Sequence, residues 1–167
     1  MMIRHLSALF LLVFSTTSYA HPMHESQVEA QQQGDQWLLA IHLPQDRLQA
    51  ALKEVPNKDS IGQYVTDNMT ATSEQDHNLL WSEKVDSIVP PDDHGYWHVN
   101  VRLSPPEGGR NTAIDLQYQV IIERIVTHKA QVWLLPAKEL GANSEPKLLA
   151  KLRRNNTSVT LSGVDTE

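Results

Sequence analysis

The chain has 167 residues, with 20 acidic against 14 basic side chains, 40% hydrophobic residues and no cysteine. That length supports one core and excludes two large domains. A net charge of −6, with no basic cluster beyond Lys151-Leu152-Arg153-Arg154, argues against nucleic acid as a partner. The missing cysteines exclude disulfide frameworks, zinc ribbons, iron–sulfur clusters and thiol nucleophiles, so any metal must be held mainly by nitrogen and oxygen.

The first twenty residues read as a signal peptide: Arg4 and His5 precede an apolar run from Leu6 to Phe14, and Ser18 and Ala20 are the small residues of a cleavage site. The apolar run is less than half the ~20 residues needed to span a bilayer. Cleavage after Ala20 leaves a mature chain of 147 residues that begins His21-Pro22-Met23-His24 and carries a net charge of −7. A cysteine-free exported chain suggests the periplasm, with no organic cofactor and no later segment of transmembrane length. The expected organisation is a signal peptide over 1–20, one domain over 21–162 and a tail over 163–167.

Along the mature chain, Gln27 to Gln33 alternates weakly, Gly34-Asp35 supplies a turn, and Trp37, Leu39, Ile41 and Leu43 alternate as a second strand. From Pro44 the period becomes helical, with Leu48, Ala51, Leu52 and Val55 on one face and Pro56 as the stop. A second helix is expected from about Asp59, with Ile61, Tyr64, Val65 and Met69 on one face. These helices form an insertion over about 45–70.

The remainder reads as strands: Leu80 to Val89; Trp97, Val99, Val101 and Leu103; Ile114 to Ile122; His128 to Leu134; Lys147 to Arg153; and Ser158 to Leu161. Seven or eight strands broken by Pro/Gly turns predict a mainly β fold, an immunoglobulin-like antiparallel β-sandwich with a short helical insertion.

Three features resemble the extracytoplasmic domain of HupE/UreJ-like membrane proteins. They are the mature start at His, the run Trp37-Leu38-Leu39-Ala40-Ile41-His42-Leu43-Pro44 leading into a helix from Asp46 to Leu52, and the segment Ile114 to Val132 with its Thr127-His128-Lys129-Ala130 step. The resemblance implies a periplasmic domain for handling copper or nickel, partnered by an inner-membrane transporter or permease. Such domains run on into membrane helices, whereas this sequence stops at Asp165-Thr166-Glu167, so the expectation is a domain that does not itself transport.

The mature terminus offers the most specific chemistry. An unblocked α-amine and the Nδ1 of an N-terminal His21 can chelate one metal, and a further imidazole completes a histidine brace, a tetragonal nitrogen set suited to Cu(II). Pro22 prevents the second backbone nitrogen from joining the chelate, and Met23 could lend a thioether to Cu(I).

The expected metal ligands are His21, His24 and His128, with His98 in reserve. The plainer reading of His128 is a core-edge histidine bonded to a backbone carbonyl. His94 reads as a turn residue and His98 as a strand residue, ~13 Å apart if extended and too far for one ion. His42 and His77 read as structural or solvent-facing, and Asp92 and Asp93 as a solvated turn. No Gly-x-Ser-x-Gly elbow, completed His-Glu-x-x-His or phosphate loop occurs, so no enzyme is expected, an N-terminal-His copper oxygenase being the minority alternative. A β-sandwich module that docks on a membrane partner without binding metal is the other alternative.

Overall fold

The computed structural model describes residues 24–107, 113–136 and 145–163. The expectations for the leader, for His21, Pro22 and Met23 and for most of the C-terminal tail lie outside the described residues. The described part is a β-sandwich of two packed sheets, mainly β, with two helices.

The hairpin opens the fold as the alternation predicts. Strands β1 (Ser26–Gln33) and β2 (Gln36–Pro44) pair with Gln33 opposite Gln36, and Gly34 turns the chain at φ +60°, a conformation that favours glycine. Helix α1 (Gln45–Leu52) and helix α2 (Lys58–Asp67) follow. α1 stops at Leu52 because Lys53 takes a left-handed conformation, φ +60°, so Val55 is not on its inner face but exposed. α2 starts with a capping box, in which the Asn57 side chain accepts from the Ser60 N–H and the Ser60 hydroxyl accepts from the Asn57 N–H.

Met69, expected on the helix face, instead opens a strand, β3 (Met69–Ser73), too short for its alternation to stand out. The remaining strands are β4 (Ser82–Val89), β5 (Tyr96–Ser104), β6 (Ile114–Tyr118), β7 (Ala130–Leu134), β8 (Lys147–Leu152) and β9 (Ser158–Leu161). One sheet has the order β4-β5-β2-β1-β7-β8 and the other β3-β6-β9. Every pairing is antiparallel except β1 with β7, which is parallel.

The core lies between the sheets. Val28 and Ala30 of β1, Trp37, Leu39, Ile41 and Leu43 of β2, and Val99, Val101 and Leu103 of β5 face Ile114, Leu116 and Tyr118 of β6, and Leu48, Ile61 and Val65 of the helices join them. The strand expected to run on to Ile122 ends at Tyr118. Val120, Ile121 and Ile122 are all buried in a turn, which a strand with alternating faces does not allow. Ile121 adopts φ +66°, a strained conformation for a β-branched residue, and its N–H donates to the Tyr64 hydroxyl at 3.1 Å. Burial pushes the Tyr64 pKa up to about 12, so it stays neutral.

Two stability outcomes follow, each measurable by urea unfolding. Tyr64→Phe leaves the Ile121 N–H without its partner and is expected to cost ~1–3 kcal/mol. Leu39→Ala is expected to cost ~2–5 kcal/mol, whereas Val55→Ser at the exposed helix exit changes stability by less than ~0.5 kcal/mol.

Candidate functional site

Alternation sets the histidines within strands β2 and β5 on the same outer face of the six-stranded sheet. On β2, Ile41 and Leu43 point into the core and His42 points out; on β5, Trp97 and Val99 point in and His98 points out. The β2–β5 register sets His42 directly opposite His98. Their Nδ1 atoms stand 2.8 Å apart, with the ring planes nearly perpendicular at 89°. Each ring keeps part of its surface open to solvent, 24% for His42 and 29% for His98.

The second nitrogens of the two rings differ in setting: that of His98 meets a carboxylate, whereas that of His42 is buried without a hydrogen-bond partner. His98 Nε2 lies 3.1 Å from Asp92 Oδ2, and His42 Nε2 lies 3.8 Å from Glu29 Oε2, an ion-pair rather than a hydrogen-bond distance. Asp92 is fixed by the turn before β5, where its Oδ1 accepts from the N–H groups of His94 and Tyr96. The Tyr96 N–H above all, with that of His94 and the His98 ring, holds the Asp92 carboxyl below the usual carboxylate range despite some opposing desolvation. Burial lowers the His42 pKa, with Glu29 opposing and His98 reinforcing.

His128 is on the other face. It precedes β7, is buried at 4% exposure, and its Nε2 lies 2.8 Å from the hydroxyl of Ser26, not from a backbone carbonyl. Burial, followed by the Arg47 charge, pushes its pKa down to about 4, against the pull of Glu25 and Asp46. The ring is therefore neutral, the form that binds a metal.

His24 joins the two places. It lines a cleft of about 10 Å³ with Glu25, Arg47, Thr127 and His128, room for about one water. Its ring also stands 5.8 Å from that of Tyr96, which shares the outer face of β5 with His98. Of the expected ligands, then, His24 and His128 share a cleft, whereas His98 is on the opposite face from His128 and pairs with His42. The cleft is not a ready cation site, because Arg47 and Lys129 also line it. His94 is exposed in its turn, and His77 is exposed beside Asp115 at 3.5 Å.

The residues missed by sequence reading are His42, Glu29 and Asp92. Alternation alone faces both His42 and His98 outward, but their meeting depends on β2 and β5 being neighbours, which no local pattern states. No protein-family model and no curated protein matches this chain.

The buried state of His128 has a thermodynamic consequence. Between pH 6.5 and about 4 the unfolded chain binds a proton at this position that the folded chain refuses, so stability falls as pH falls through that window, on the order of 3 kcal/mol in all. Glu83, whose pKa burial raises to about 7, acts with the opposite sign between pH 4.5 and 7, and does so equally in any His128 variant. The stability difference between the native protein and His128→Gln is therefore expected to shrink by about 3 kcal/mol from pH 7 to pH 4. A difference independent of pH would contradict a neutral, buried His128.

Proposed function

We propose that this is an exported metal-binding or metal-delivery domain for copper or nickel, with an N-terminal histidine, His21, among its ligands. The observation that carries the reading is that His24 lines one cleft with His128 and stands 5.8 Å from Tyr96, on the outer face that also bears the His42–His98 pair. Among the described residues no three His, Asp or Glu side chains form a metal-holding group by themselves, so the ligand set in this reading draws on the N-terminus.

The resemblance to HupE/UreJ-like proteins supports the same reading and adds export to the periplasm and an inner-membrane transporter or permease as the receiving partner. No helix among the described residues is long and apolar enough to cross a membrane. Imidazoles with carboxylates beside them suit a tetragonal Cu(II) or Ni(II) site.

The test is titration of Cu(II) and Ni(II) into protein that begins at His21 and into the same protein extended by one N-terminal residue. The extension removes the chelate of α-amine and Nδ1, and a clear loss of affinity is expected. Equal affinities would overturn the role of His21.

A further inference from the structure

Charge is divided unevenly along the chain. Residues 21–123 hold sixteen acidic and six basic side chains, whereas residues 124–164 hold only Glu139 and Glu145 against seven basic ones. The strand order carries that division into the fold, because β7 and β8, from the basic part, close one edge of the six-stranded sheet and β4 closes the other. Lys147 and Lys151 of β8, and Arg153 and Arg154 of the turn into β9, are all exposed. Among the described residues none of these four is in an ion pair, although Arg47, Lys84, Arg102, Arg124 and Lys129 each lie against a carboxylate.

The same edge is apolar as well as basic. Val132 points into the core, so Trp133 points out, partly exposed, and the β7–β8 register sets it opposite Leu148, which is 37% exposed. Lys151 stands opposite Gln131 on that outer face. Lysine on an edge strand ordinarily serves to stop the strand from pairing with another chain. β4 meets that need with a register shift between Val85 and Ser87 and with charges of both signs, Glu83, Lys84 and Asp86. β8 is already interrupted, since the register skips Leu149 between Leu148 and Ala150, which disfavours strand addition by a peptide. Four like charges are therefore more than edge protection requires. Cations beside an exposed leucine and a tryptophan are instead the composition of a lipid-facing surface, with the charges at the phosphates and the aromatic ring at headgroup level.

We propose that the β8 edge and its turn, Lys147, Leu148, Lys151, Arg153 and Arg154 with Trp133 beside them, dock on a membrane surface of anionic phospholipid. A flat anionic surface meets all four cations without needing a strand register. It also repels the acidic remainder of the chain, so it orients the domain with β8 toward the lipid and β4 away from it. Each Lys or Arg near such a surface strengthens binding about five-fold, and four together give roughly 600-fold, a reversible docking rather than a permanent anchor. The docking depends neither on metal binding nor on the N-terminus.

The experiment is co-sedimentation of the protein that begins at His21 with vesicles of phosphatidylcholine alone and of phosphatidylcholine containing one third phosphatidylglycerol. Binding is expected to the anionic vesicles only, and to be lost at about 1 M salt, where charges are screened within ~3 Å. The other tryptophans, Trp37, Trp81 and Trp97, are buried, so a blue shift of fluorescence on binding reports Trp133, and Trp133→Phe should abolish it. Lys151→Gln, Arg153→Gln and Arg154→Gln should each weaken binding about five-fold, whereas Lys58→Gln, at an exposed position of α2, should leave it unchanged. Equal binding to both kinds of vesicle overturns the proposal, as does a triple variant of Lys151, Arg153 and Arg154 that binds like the parent. Binding without a fluorescence shift overturns the part given to Trp133. Failure to bind anionic vesicles, alongside salt-sensitive binding to polyglutamate, overturns the lipid in favour of an acidic protein partner.

Discussion

Strand β1 pairs antiparallel with β2 on one side and parallel with β7 on the other, and the histidine-bearing end of the sheet depends on this double pairing. A parallel neighbour cannot be reached by a hairpin, so β7 must return from the far side of the sandwich to lie beside the first strand of the domain. The pairing begins at Ser26 opposite Ala130, where the Ser26 N–H donates to the Lys129 carbonyl, and the Ser26 hydroxyl meets His128 two residues upstream of β7. The inner residues of β1, Val28 and Ala30, are fully buried, which fixes its register, since a slip of one residue would exchange them for Gln27 and Glu29. That register carries Glu29 to the outer face near His42 and brings the start of the described chain, His24, to the sheet end beside Tyr96.

The two faces then give imidazoles opposite chemical settings. His128 is buried and close to the Arg47 charge, and the folded state disfavours its protonated form. His42 and His98 are on the outer face, partly open to solvent and beside the carboxylates of Glu29 and Asp92, although burial still lowers the His42 pKa. One sheet thus has a buried histidine at the entry to β7 and a partly exposed histidine pair across β2 and β5. His24, at the sheet end, lines a cleft with His128 and stands against Tyr96 on the outer face.

Much of the fold was legible in the sequence, because strict alternation at Trp37 to Leu43 and at Trp97 to Leu103 reports a sheet with one face buried. The errors fall where that logic lapses. Three consecutive buried residues, Val120 to Ile122, mimic a strand while forming a turn held by the Tyr64 hydroxyl, and Met69 has helical spacing from Val65 yet begins β3. The candidate site was legible only in part. His24 and His128 were singled out and do share a cleft, but His98 was set apart from its true neighbour because cross-strand contact is a property of strand order. Spacing along the chain shows that His94 and His98 cannot share an ion; it cannot show that His42, 56 positions away, lies 2.8 Å from His98. Asp92 reads as a solvated turn residue because its role depends on the same crossing.

The central claim is that these imidazoles hold a transition metal in the protein's working state. The most direct measurement is the metal content of mature protein recovered from its native cells without added metal or chelator, with the N-terminus verified by mass. The account predicts copper or nickel at about one ion per chain. Protein that starts at His21 and is fully folded, yet carries neither metal when its own cells are grown with both, would contradict it.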